Sequence, residues 1–164
     1  MKDWVRGSED RATAHSRERR LLGGSRRMKG TDMANEGMTP EEIVNECNRL
    51  IMDHRAMEAV EKYIADDFIE HNPAIRGGDR EGFIEHLVTS GLTDPNAPRM
   101  KMTVDRVISS GNMVVTHIHV ETGPDDPALV FMDIYRIEDG KIAEHWDVMQ
   151  PEPAESVNGR VSMW

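Results

Sequence analysis

Cysteine is almost absent from this chain. Cys47 is the single one among 164 residues, so no internal disulfide can form. It falls on the apolar stripe of a predicted helix, where a small buried side chain is expected rather than a nucleophile. A reducing, cytoplasmic setting is therefore the expectation. Long apolar runs are also missing. No segment reaches membrane-spanning length, and the N-terminus lacks the apolar stretch of a secretion signal. Positive charge is in short supply as well, and unevenly placed. Residues 1–33 hold nine Lys/Arg against five Asp/Glu, which leaves the rest of the chain at −14 within an overall −10. So acidic a body excludes a phosphate-binding groove, and no nucleic-acid partner is expected. The basic leader (Arg17, Arg19, Arg20, Arg26, Arg27, Lys29) has little apolar content and no period, so residues 1–38 read as a disordered leader. Met28, Met33 and Met38 each offer an alternative start, so the leader need not belong to the native product.

Order is expected from Thr39 onward, making 39–164 one domain. Thr39-Pro40-Glu41-Glu42 is a capping box with proline at the first helical position, and Ile43, Cys47, Leu50 and Ile51 follow at helical spacing. A second helix over about 56–65 carries Met57, Val60 and Ile64 on one stripe. Phe68 to His71 reads as extended, with Pro73 biasing Asn72 away from helix. Gly77-Gly78-Asp79 then caps a third helix with Phe83, Ile84, Leu87 and Val88 inward. Beyond Pro98, strands are predicted at 100–109, 113–121, 128–137 and 142–149. Three helices and then an antiparallel meander is an α+β plan. Val161, Met163 and Trp164 in the tail are expected to dock on the domain or on a partner.

The richest stretch is FMDIYRIEDGKIAEHWDVMQP, residues 131–151. It reads as a β-hairpin gathering Asp133, Tyr135, His145 and Asp147. A three-residue loop at Glu138-Asp139-Gly140 would pair Asp133 with His145, leaving Asp147 diagonal to it on the same face. A two-residue turn at Asp139-Gly140 would slip the register by one and send Asp147 to the other face. Asp147 is the candidate base for proton abstraction beside a carbonyl, with Asp133 as a coupled carboxyl able to hold a proton.

His117, His119 and Glu121 share one strand face, and His117 and Tyr135 are candidates for polarising a substrate. Together with His71 and His145 these histidines raise a metal site. No tight ligand motif is present, so no metal is expected. His145 is a candidate substrate contact, as are His71 and Asn72. Phe131, Tyr135, Val115 and Met149 are expected on the His/Asp face, which suits a pocket lining. Ile118, Ile134, Met132, Val148 and Trp146 are expected on the opposite, more apolar face, which would need cover.

His71-Asn72-Pro73 before the third helix, Asp133, and Glu144-His145-Trp146-Asp147 on the last strands resemble the SnoaL-like polyketide cyclase family, within the nuclear-transport-factor-2-like superfamily. The resemblance covers roughly 39–164. It implies a curved sheet wrapped round the helices as a cone-shaped barrel with an internal pocket, and it places His71 and Asn72 at the pocket mouth. It also implies an acid/base carboxylate on the last strand, a position matched by Asp147. The preceding strand often supplies a histidine in the cyclases; here Asp133 stands there.

The resulting expectation is cofactor-free carbon-acid chemistry of isomerase, cyclase or dehydratase type on a small carbonyl compound. A non-catalytic small-ligand-binding module is the alternative, with epoxide hydrolysis ranked last because Arg106 and Arg136 are expected to face away from Asp147. A homodimer and no membrane partner complete the expectations.

Overall fold

The computed structural model describes residues 35, 37–157, 159, 163 and 164. The leader expected over 1–38 lies outside the described residues except for Asn35, 37 and 38. Asn35 is itself buried, donating to the Lys62 and Gly140 carbonyls.

Helix α1 (Pro40–Met52) opens with the expected box: the Glu42 amide donates to Thr39 Oγ1, and the Thr39 amide donates to Glu42 Oε2. It buries Ile43, Val44, Cys47, Leu50 and Ile51, each large aliphatic contributing about 1.5–3 kcal/mol over leaving it exposed. Helix α2 (Ala56–Tyr63) buries Ala56, Ala59, Val60 and Tyr63. Its buried stripe includes Ala56 rather than the expected Met57, which is exposed. Strand β1 (Ile64–Glu70) follows without a linker, taking residues expected to finish the helix. Gly77 and Gly78, both at positive φ, form the tight turn before α3 (Arg80–Thr89), whose cap is Asp79 accepting from the Gly82 amide at 2.9 Å. Leu87 is buried and Phe83 and Ile84 pack on the core, but Val88 faces solvent.

Strands β2 (Lys101–Ser110), β3 (Met113–Glu121), β4 (Leu129–Glu138) and β5 (Lys141–Pro151) form the expected meander. The sheet order is β1-β5-β4-β3-β2, and β1 pairs with β5 in parallel. The expected antiparallel barrel is thus corrected twice: the described sheet is five-stranded and mixed, and it stays open between β1 and β2. The helices cover one face, where Val114, Tyr135, Ile137 and Ile142 join the core built on α1 and α2. Among the described residues, no helix is long and apolar enough to cross a membrane.

The last hairpin turns on Asp139 and Gly140, both at positive φ as a type I′ turn demands, so Glu138 pairs with Lys141 and Ile137 with Ile142. The three-residue loop does not form. The register then shifts, Arg136 pairing with Glu144, because Ala143 is an extra residue on β5. That bulge offsets the slip a two-residue turn would cause and returns Asp147 to the face of Asp133.

Candidate active site

Strand pairing lays the inner face out in rows. Val114, Tyr135, His145 and Glu70 are successive cross-strand partners from β3 to β1, and Thr116, Asp133 and Asp147 form the neighbouring row. A third row, Ile118, Phe131 and Met149, continues the face beyond the acids. Polar side chains in the first two rows must find partners because the helices shield them from water.

They do so around His145. Its Nδ1 lies 2.8 Å from Glu70 Oε2, and the Glu70 side chain is fully buried. Its Nε2 lies 3.5 Å from Asp133 Oδ1, close enough for charge attraction, but it is buried without a hydrogen-bond partner. The buried Thr116 hydroxyl donates to the other Asp133 oxygen at 3.1 Å. The Tyr135 ring stacks on the imidazole, centroids 4.8 Å apart, and the tyrosine hydroxyl accepts from Asn48 Nδ2 at 3.3 Å. Glu70 Oε1 accepts the Asn72 amide at 2.9 Å, and Asn72 Nδ2 donates to Asp147 Oδ2 at 2.9 Å.

Burial alone would lower the His145 pKa, but the charge of Asp133 beside Nε2 and the hydrogen bond and charge of Glu70 outweigh it and push it up to about 9. His145 is therefore an imidazolium at neutral pH. Half-buried Asp147 is shifted the other way from most carboxylates. Desolvation raises its pKa, helped by the charges of Asp133 and Glu70, while His145 and the Asn72 hydrogen bond hold the rise down. Burial and the Asp133 charge raise Tyr135 well above its ordinary value, so it stays a neutral phenol. The arrangement offers a carboxylate primed to take a proton beside a fixed cation with one uncommitted N–H.

A model of the SnoaL-like domain matches residues 45–145. The chain belongs to the SnoaL-like domain family. Solved structures agree on the fold of this SnoaL-like protein, which is that of the nuclear-transport-factor-2-like group. IdmH of Streptomyces antibioticus, a candidate polyketide cyclase, is 21% identical with a TM-score of 0.55, covering 68% of this chain and 91% of its own. An NTF2-like protein of unknown function from Cytophaga hutchinsonii is 16% identical, TM-score 0.54, over 69% and 91%. An M. tuberculosis LEH-like epoxide hydrolase is 18% identical, TM-score 0.50, over 68% and 82%. No curated sequence matches the chain.

In this SnoaL-like domain, Asp133, Tyr135, His145 and Asp147 meet, as the strand pattern suggested, and Asn72 joins them through Asp147. His71 and His117 do not join them. His71 stacks on Trp146, centroids 4.4 Å apart, with Nε2 3.1 Å from Glu144, at the sheet's outer side. His117 pairs with Met132 on the outer face and contacts Arg106 Nη1 at 2.9 Å. On β3 the faces are the reverse of those expected from the sequence: Thr116 and Ile118 point inward, Val115 and His117 outward.

Arg106 and Arg136 do face outward, Arg136 pairing with Glu138 and Glu144. His119 is on the outer face too, bonded to Asp105 and covered by the Trp164 ring. The histidines of β3 and β5 therefore do not converge, and no trio of metal-binding side chains is arranged for an ion among the described residues.

Sequence reasoning missed Glu70, Thr116 and Asn48. Glu70 was legible in principle, two residues beyond the inward Phe68 on an extended segment. A surface cleft of about 310 Å³ along Arg49, Met52, Asp53 and 99–102 lies away from this cluster.

Proposed function

We propose that this protein is a cofactor-free acid/base enzyme acting on a small carbonyl compound, with Asp147 as the base. The observation that carries the reading is the pairing of a half-buried, desolvated carboxylate with a buried imidazolium whose Nε2 has no hydrogen-bond partner. In the proposed step Asp147 takes a proton from the carbon next to the carbonyl. The electron pair moves onto the carbonyl oxygen, where the Nε2–H of His145 stabilises the enolate. Return of the proton to another carbon gives isomerisation, and attack by the enolate on a second carbonyl gives cyclisation. Apolar residues Ile118, Phe131 and Met149, on the same face, would receive the body of the substrate.

One observation favours a second reading, epoxide hydrolysis. His145 stands as a cation between two carboxylates, Glu70 and Asp133, and one structural neighbour is an LEH-like epoxide hydrolase. Asp147 and Asn72 would then hold the attacking water. Incubation with carbonyl and epoxide panels in D₂O, followed by NMR, separates the readings. Deuterium beside a carbonyl supports the first and diol formation the second. Neither, with tight binding of panel compounds, points to a ligand-binding module.

We further propose that a second copy of the chain covers the outer sheet face, where Met132, Ile134 and Val148 are exposed beside Trp146. A dimer by light scattering supports this, and a monomer at working concentration contradicts it.

A further inference from the structure

The mechanism above uses Asp147 and His145 but gives no task to the most deeply buried charge beside them. Glu70 is a carboxylate with a fully buried side chain at the end of an edge strand, where a charge is costly unless it is paired. Both of its oxygens are committed, and to different arms of the site. Oε2 takes the Nδ1–H of His145, and Oε1 takes the backbone N–H of Asn72, whose side-chain amide donates to Asp147. The register supports the first contact, since Glu70 and His145 are cross-strand partners in the parallel ladder. The turn supports the second, since Asn72 lies two residues past Glu70 and its Oδ1 accepts from the Ala74 amide, which holds the asparagine fixed.

We infer that Glu70 is the positioning residue of this site, a single buried carboxylate that fixes the tautomer and charge of His145 and, through Asn72, the aim of Asp147. With Nδ1 engaged by Glu70, the imidazole turns Nε2 towards Asp133. The inference rests on the acid/base reading for its catalytic meaning. Its structural content can be tested without turnover.

The groups facing His145 are Glu70 from β1, Asp133 and Tyr135 from β4, and Asp147 from its own strand. Tyr135 is neutral, so removing the Glu70 charge leaves Asp133 and Asp147 as the acidic neighbours. Glu70→Gln keeps the shape but replaces an acceptor with an amide that can turn its N–H towards Nδ1. The expected result is that His145 titrates about 1–3 units lower. Its neutral form should carry the proton on Nε2.

The experiment is ¹⁵N-histidine NMR of the full chain from acid to alkaline pH, for wild type and Glu70→Gln, with circular dichroism to check the fold. Wild type should show a protected, hydrogen-bonded Nδ1 proton at neutral pH. Its absence overturns the inference whatever the variant does. An unchanged His145 titration in a folded Glu70→Gln also overturns it. Glu70→Asp, which keeps the charge but withdraws it by one methylene, should restore part of the titration and serves if the glutamine variant does not fold. The two readings fail separately. A collapsed His145 titration with no deuterium exchange in wild type keeps the role of Glu70 and removes the enzyme. Wild-type exchange with an unmoved titration does the reverse.

Discussion

Asp133 and Asp147 stand directly opposite each other on β4 and β5, and the extra residue Ala143 is what brings them face to face. Without the bulge, the two-residue turn would set Asp133 against Trp146 and rotate His145 and Asp147 to the outer surface. Deleting Ala143, by contrast, should leave a regular two-residue hairpin in which Arg136 still pairs with Glu144 and Asp133 with Asp147, so the fold and the shared face of His145 and Asp147 should survive. Cross-strand NOEs between β4 and β5 check the register, and a folded deletion variant in which Asp133 no longer faces Asp147 would contradict the argument.

The pH profile of kcat/KM should be bell-shaped. Its acid limb belongs to Asp147, which must be ionised and whose pKa lies above the ordinary carboxylate value because of desolvation. Its alkaline limb belongs to His145 and should fall near pH 9, where the imidazolium loses its proton. A plateau that runs well past pH 10 would remove His145 from the mechanism.

Stability should follow the same imidazole. Its pKa rises from 6.5 in the unfolded chain to about 9 in the fold, so the folded state binds the proton more tightly. The contribution is complete below about pH 6.5 and is lost as pH climbs through about 9, on the order of 3 kcal/mol in all. Denaturation midpoints measured across that window should fall, and His145→Gln should flatten the fall.

Gly82, in the first turn of α3, has no room for a side chain, since a methyl group there would overlap the Arg76 carbonyl. Gly82→Ala should cost roughly 3 kcal/mol by pushing α3 off the turn that carries Asn72 towards Asp147. Thermal unfolding gives the size of the loss, and an unchanged melting temperature would contradict the packing.

Local rules carried the fold a long way. The capping box at Thr39 and the Gly77-Gly78-Asp79 stop are signals written in adjacent residues, and each sits where the sequence implied, whereas the hairpin turn is the two-residue Asp139-Gly140 form in place of the three-residue loop. The parallel pairing of β1 is a long-range choice with no such mark, so Glu70 stayed hidden although it is the partner of His145. The face of β3 was equally hard to read, because His117-Ile118-His119-Val120 alternates polar and apolar residues and suits a site on either side. What decides it is burial: Thr116 is fully buried and its hydroxyl donates to Asp133, while His117 is left on the outer face.

The most direct test of the central claim compares wild type and Asp147→Asn for deuterium incorporation into carbonyl compounds in D₂O, together with ligand binding. Asparagine can still meet Asn72 but cannot accept the proton. The account predicts a folded variant that binds as wild type does and exchanges at least 10²-fold more slowly, the scale of a lost general base. Exchange at the wild-type rate in that variant would contradict it.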